Sequence, residues 1–378
     1  MKKILPLSYV EISRANLIHN IKQFRSLVRK GTEIAGVIKA NAYGHGDVEV
    51  VKVLAPYVDY FQINSVEELV TLRKVTKKQI LLLGYVATND LSRAIKLGCA
   101  LTVFDTAHAK AINAVARKMK RRQKVHIAVD SHLGREGVMP EELTAFLTEL
   151  AKMKNLDVVG VYSHFANIED TADFSYAQKQ IDTYHKSLKA FEKFGWKNLK
   201  THISATSGVL AYEKGTGAHT IVRVGVGLYG MWPSKRLEKI YENKITLKPV
   251  MRWVTHVAQV KKLGAGVSIG YGLSFITSHP TRIAVIPQGY SNGFPRSLSS
   301  VGSVLIGGTR CKVLGRVAMN MFVVDVTHAK NITEGAEVVV LGKQAKETIT
   351  AEELAEKSGT INYEATTRVS PLLPRIVV

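Results

Sequence analysis

The chain has 378 residues with ordinary apolar content, 46% hydrophobic and 22% charged, so intrinsic disorder and disulfide-dense miniature scaffolds are excluded. Its charge is unusual: 52 Lys and Arg against 31 Asp and Glu, a formal net of +21. That raises nucleic acid or an anionic membrane as partners, but the excess is spread along the chain. Residues 241–378 hold 16 basic and 9 acidic residues, leaving +14 over residues 1–240. The densest run, Arg117 to Lys124, has no interleaved aromatics and follows an apolar helical stretch, 107–115, where a helix dipole favours cations. A solvated helix end explains it better than a nucleic-acid site.

The N-terminal stretch MKKILPLSYV has a basic start, but Pro6 breaks it and Glu11 follows, which argues against a signal peptide. No apolar run approaches the ~20 residues of a membrane span. Cys99 and Cys311 lie beside apolar runs without metal-ligand spacing. Buried, reduced thiols and a cytoplasmic location are expected, with no metal.

From residue 34 to about 225, short apolar strands alternate with helical stretches. Strands are expected at 34–38, 60–63, 80–83, 100–103, 125–129, 156–163, 201–203 and 221–224, with helices at 66–73, 90–97, 140–153 and 176–194 among them. Pro140 followed by Glu141 and Glu142 reads as a helix start. Eight strands each followed by a helix predict an α/β fold, a (β/α)8 TIM-type barrel with its functional face at the strands' C-terminal ends. From residue 241 the pattern is β-rich, with strands expected at 251–260, 282–286, 302–306, 310–314, 321–326 and 336–341, and one helix at 350–356. The division predicted is a barrel, 1–240, and a mostly-β domain, 241–378, with residues 1–10 able to pack with the latter.

Polar residues just after barrel strands are candidates for chemistry. Lys39 ends the first strand, where desolvation would lower its pKa and make it a nucleophile; a strand-end lysine that merely reaches water is the commoner case. Arg135 follows the fifth strand and His164 the sixth. Ser204, Thr206 and Ser207 follow the seventh, and Gly225 and Val226 follow Arg223 in the eighth. Hydroxyls and backbone N–H groups at a helix start suit a phosphate. Singly each signal is weak. Together they suggest a phosphate-bearing cofactor held covalently by a lysine.

The stretch VIKANAYGHG (37–46) resembles the pyridoxal-phosphate motif of alanine racemases, of fold type III. VDSHLGREGV (129–138), HISATSG (202–208), VRVGVGLYG (222–230), GVSIGYGLSF (266–275), QGYSNGFPR (288–296) and INYEATTRVSPLLPR (361–375) extend the resemblance in order. It implies a pyridoxal 5'-phosphate enzyme that interconverts L- and D-alanine with two bases, supplying D-alanine for peptidoglycan. A serine or broader racemase of the same fold is the alternative. Lys39 would hold the cofactor and act as one base; Tyr271, from the second subunit of a homodimer, would be the other. Tyr43, Thr206, Ser207, Gly225, Val226 and Tyr363 match phosphate-binding positions. Arg223 would face the ring nitrogen and His164 the ring. Arg135 and the Met319 amide would hold the substrate carboxylate, and Tyr290 with Tyr363 would narrow the entrance. The chain departs from the family at Ala128, where a lysine, often carbamylated, is usual, so Arg135 would need another anion or a nearby acid as its partner.

Overall fold

The computed structural model describes residues 6–213 and 219–378; the basic start at residues 1–5 lies outside them. Eight parallel strands form the barrel: β2 (Glu33–Val37), β3 (Tyr60–Ile63), β4 (Gln79–Leu82), β5 (Ala100–Val103), β6 (Gln123–Ala128), β7 (Leu156–Tyr162), β8 (Lys200–His202) and β9 (Ile221–Val224). Seven ladders run β8-β7-β6-β5-β4-β3-β2-β9. Between β8 and β9 the ring is drawn together by single bonds, Thr220 N–H to Thr201 O and Arg223 N–H to Ser204 O, each 3.0–3.1 Å. All eight expected strands are present. Most are buried along their length, as a sheet covered by helices on one side and closed on itself on the other requires.

Local sequence explains the helices. Val66–Arg73 starts on a capping box between Ser65 and Glu68. Thr106–Lys118 is capped by Asp105 and ends in Arg117 and Lys118, so the dense basic run is a helix end leading into β6. The expected start at Pro140 needs correction: residues 140–142 make a turn, and the helix is Leu143–Leu150. Its buried face, Leu143, Phe146, Leu147 and Leu150, begins only there, and packing rather than the proline sets the boundary.

The second unit carries the β-rich chain. The strand β1 (Tyr9–Ile12) pairs antiparallel with β10 (Met251–His256) and parallel with β18 (Arg375–Val377). The remaining strands are β11 (Gln259–Leu263), β12 (Thr281–Ile286), β13 (Ser303–Ile306), β14 (Thr309–Leu314), β15 (Phe322–Asp325), β16 (Glu337–Gln344) and β17 (Glu347–Ile349). Their order is β11-β12-β15-β14-β13-β16-β10-β1-β18, with β17 on β16. The single strand expected at 251–260 is two. At Val257 the backbone still bonds Ala336, and at Ala258 it turns to Val285, so the chain changes partners between β10 and β11. Two helices, Ala351–Ser358 and Asn362–Thr367, stand where one was expected. The second is too short for a periodic signal; Asn362 Nδ2 fastens it to Glu352 Oε1 at 2.9 Å.

By compactness, residues up to Asn16, Asn41–Val50 and Pro249–Val378 form one unit, and Leu17–Ala40 with Val51–Lys248 form the other. The boundary therefore falls immediately after Lys39 and Ala40 as well as near residue 248. Among the described residues no helix is long and apolar enough to cross a membrane, and no three His, Cys, Asp or Glu side chains gather as a metal-ligand set. Cys99 and Cys311 are buried and unpaired, and burial pushes each thiol up to about 12.

Candidate active site

Lys39 directly follows β2 and Ile38. Three bonds fix the backbone around it: Ile38 N–H to Gln62 O at 2.8 Å, Tyr229 Oη to Val37 O at 2.7 Å, and Ala40 N–H to Glu68 Oε1 at 2.6 Å. Glu68 is the capping-box residue of the helix after β3, so one carboxylate both starts that helix and holds the peptide after the lysine. Burial lowers the Lys39 pKa, the Arg135 and Arg223 charges lower it further, and Glu68 and Glu136 oppose them. The direction favours a neutral, nucleophilic amine.

Arg223 is 3% exposed. Its Nη1 donates to His202 Nδ1 at 2.5 Å and to His202 O at 3.2 Å; its Nη2 donates to Ser163 O, Ile203 O and His164 Nδ1 at 2.9–3.2 Å. A guanidinium cannot accept, so both histidines are unprotonated at Nδ1. His202 then carries its proton on Nε2 and donates to His126 Nδ1 at 2.9 Å. The His126 ring fits inside the barrel because residue 160 is glycine: a Cβ there would lie 2.3 Å from Nδ1. Tyr162 stacks on His202 with planes 8° apart, and the Arg223 guanidinium sits 5.4 Å from the Tyr162 ring centroid. Burial brings Arg223 down to about 10, so it stays charged at neutral pH.

Burial, and then the neighbouring cations, hold His126 and His164 at about 3, against ~6.5 when unfolded. The unfolded chain takes up protons below pH 6.5 and the folded chain does not until about 3. Stability is therefore full above pH 6.5 and is lost as pH falls toward 3, by about 2 kcal/mol per such histidine at pH 5. Urea unfolding should show a clearly lower midpoint at pH 5 than at pH 7; equal midpoints would contradict the burial of neutral rings.

The expected phosphate residues gather around Thr206. Its Oγ1 accepts from Gly225 N–H at 3.0 Å and Gly227 N–H at 3.4 Å, tying the start of Thr206–Gly208 to that of the 3-10 turn Val226–Tyr229. Its hydroxyl proton remains available to an anion. Ser207 Oγ donates to Glu169 Oε2 at 2.6 Å, and burial raises the Glu169 pKa.

Residues Lys39–Tyr43, which span the boundary between the two units, form a turn whose hand is reversed. Ala40, Asn41, Ala42 and Tyr43 have φ of 53–55°, the left-handed region, which costs about 1–2 kcal/mol per residue. The cost is offset by a closed set of bonds: Gly46 N–H to Asn41 O, Asp47 N–H to Asn41 Oδ1, and buried His45 Nδ1–H to Ala42 O and Tyr43 O, all 3.0–3.1 Å. Gly44, at φ +84°, could not be another residue, since a Cβ would lie 2.0 Å from Thr366 O. Arg375 of β18 donates from Nε and Nη2 to Gly44 O at 3.1 and 2.7 Å. Tyr43 lies against Tyr363 with ring centroids 6.1 Å apart.

Tyr290 and Met319 are neighbours: Tyr290 N–H bonds Ala318 O at 3.2 Å and Ser291 bonds Met319 O from both N and Oγ. Tyr290 also borders a cavity of about 510 Å³ with Arg296 and Arg368. Tyr271 stands on the one-turn segment Tyr271–Leu273 and is 72% exposed.

Thus Lys39, Arg135, His164 and Arg223 lie within electrostatic reach of one another in the barrel, beside the Thr206 bracket. Tyr43 with Tyr363, Tyr290 with Met319, and Tyr271 belong to the β unit. Glu68, His126 and Arg375 were not singled out from sequence. Their roles depend on partners 28, 76 and 331 residues away.

Models of the alanine racemase N-terminal and C-terminal domains match residues 12–233 and 250–377. The chain belongs to the alanine racemase family. It is 34% identical over 372 residues to alanine racemase 2 of Caldanaerobacter subterraneus subsp. tengcongensis, covering 98% of this chain and 94% of that one. The solved alanine racemase of Clostridium difficile 630 aligns with a TM-score of 0.93 at 32% identity, covering 100% of this chain and 97% of that chain. That of Bacillus anthracis with bound L-Ala-P aligns with a TM-score of 0.93 at 30% identity, covering 99% and 96%. The chain is an enzyme of this family, and its (β/α)8 barrel with a mostly-β partner unit is the family's architecture.

Proposed function

We propose that this enzyme racemises alanine with pyridoxal 5'-phosphate, using Lys39 and Tyr271 as bases on opposite faces of the substrate. The observation that carries the reading is the half-buried Lys39 beside Arg135, neutral His164 and charged Arg223, next to the Thr206 bracket. The donor set suits the cofactor: the Thr206 hydroxyl and the Val226 N–H for a phosphate, joined by Tyr43 and Tyr363, with the Ser207 hydroxyl and the Gly225 N–H, now given to Glu169 and Thr206, turning to it when it binds, and a charged Arg223 for an unprotonated ring nitrogen. When bound, the cofactor withdraws electrons from the alpha carbon and acidifies its proton.

The chain's own groups do the rest. Arg135 and the Met319 amide orient the substrate carboxylate. Lys39 takes or returns a proton on one face and Tyr271 on the other, which inversion at carbon demands. His164 keeps the ring plane, its Nδ1 fixed by Arg223. Arg223, charged at neutral pH and held by five hydrogen bonds, would face the ring nitrogen as a donor and so would keep it unprotonated, limiting side reactions. Tyr290 and Tyr363 set the size of side chain admitted.

The barrel, 1–240, is the cofactor domain in this reading, and 241–378 supplies the second base to the neighbouring subunit of a homodimer. The run Val267, Tyr271, Leu273 and Ile276 supports that partner: each is 38–72% exposed, and large exposed apolar groups this close together suit a covered face. The enzyme would act in the cytoplasm, and its product, D-alanine, would supply cell-wall peptidoglycan. The test is chiral analysis of the products from L-alanine and L-serine with the reconstituted enzyme. D-alanine should dominate. D-serine formed faster would support the broader racemase instead, and neither product would end the proposal.

A further inference from the structure

Three cationic groups, Lys39, Arg135 and Arg223, converge in the barrel mouth. A carboxylate lies directly against one of them. Arg135 Nε and Nη2 both donate to the Glu136 carboxylate, the second at 2.7 Å and the first shorter still. Two parallel N–H···O bonds fix a guanidinium plane as well as its position.

The loop that carries the pair is itself closed. Val138 N–H bonds Ala128 O and Asp130 N–H bonds Val138 O, at 2.9 and 3.0 Å, so residues 129–138 leave and rejoin the end of β6 at one place. Inside it the Asp130 carboxylate accepts from the N–H groups of Leu133, Gly134 and Arg135 at 2.7–3.1 Å. Asp130 therefore sets the backbone of Arg135, and its oxygens are occupied. Ala128, buried at the end of β6, offers no charge. Among the described residues, Glu136 is the carboxylate that pairs with the Arg135 side chain.

We infer that Glu136 is the positioning residue of Arg135: it occupies the Nε–Nη2 edge and leaves the Nη1 end turned to the substrate carboxylate. Arg135 is 60% exposed even with Glu136 in place, so without that partner its rotamer-rich side chain is free to swing into solvent. Glu136 also opposes the effect of Arg135 and Arg223 on Lys39. The inference rests on Arg135 being the carboxylate partner, as proposed above.

The test uses reconstituted holoenzyme and its Glu136→Ala, Glu136→Gln and Arg135→Ala variants. L-alanine gives kcat and KM. Propionate, a carboxylate with no amine, gives a Kd through the visible absorbance of the bound cofactor. Glu136→Ala should raise KM and the propionate Kd together by about tenfold with kcat within about threefold, the pattern of lost positioning of a binding group. Glu136→Gln, which keeps one acceptor oxygen in the same place, should recover part of that loss. A merely structural role would not move the propionate Kd in folded, cofactor-loaded protein. If Glu136→Ala leaves both constants within twofold while Arg135→Ala raises them, the role of Glu136 is overturned and that of Arg135 stands. If Arg135→Ala also leaves them unchanged, both fall.

Discussion

Replacing Lys39 by alanine should abolish covalent cofactor and cut racemisation by roughly 10,000-fold or more, because one side chain both holds the cofactor and moves a proton. Its surroundings account for the size. The amine is half-buried near Arg135 and Arg223, both of which disfavour its charged form. No neighbour could substitute: Arg223 keeps its proton at neutral pH, and His164 has its Nδ1 committed to Arg223. Borohydride treatment followed by peptide mass analysis should place the cofactor's mass on the peptide containing Lys39 in the wild type and nowhere in Lys39→Ala. Racemase activity within tenfold of wild type in that variant would remove Lys39 from the mechanism.

Tyr271→Phe should lower kcat by about 100- to 10,000-fold, the usual range for a positioned acid–base group, with covalent cofactor at Lys39 unaffected. The two bases belong to different compact units, Lys39 to the barrel and Tyr271 to the β unit. If subunits share sites, a hybrid dimer of Lys39→Ala and Tyr271→Phe chains has one doubly defective site and one intact site. Co-expression of the two inactive variants should then restore about a quarter of wild-type activity, since about half the dimers are hybrids with one good site each. A mixture that stays inactive would mean that each chain builds its site alone, or that Tyr271 is not the second base.

The eight barrel strands were legible because each is a short apolar run bounded by polar turns, and the position of Lys39 at the end of the first followed at once. The rest of the site was legible in kind more than in arrangement. Arg223 could be named from its strand, but its bonds to His202 and His164 need rings from β8 and the end of β7. His126 becomes part of that set only because Gly160, in the neighbouring strand, makes room for it. Helix limits at 140–143 and the strand change at Val257–Ala258 were misread because packing and a switch of hydrogen-bond partners set them, not local residue preference.

The motif after Lys39 divides the two kinds of information most clearly. Asn41, Gly44 and Gly46 announce an unusual turn by themselves, since these residues tolerate positive φ. Nothing in Ala40, Ala42 or Tyr43 does, because side chains with a Cβ disfavour the left-handed region. They adopt it because His45, Asn41 and the distant Arg375 bond the backbone into that shape. The sequence alone determined the barrel, the family and the lysine, because those depend on short-range pattern and motif order. Only the tertiary structure decided the strained turn and the neutral histidines, because burial and hydrogen bonding act through space and not along the chain; which acid pairs with Arg135 proved to be its neighbour in sequence, Glu136.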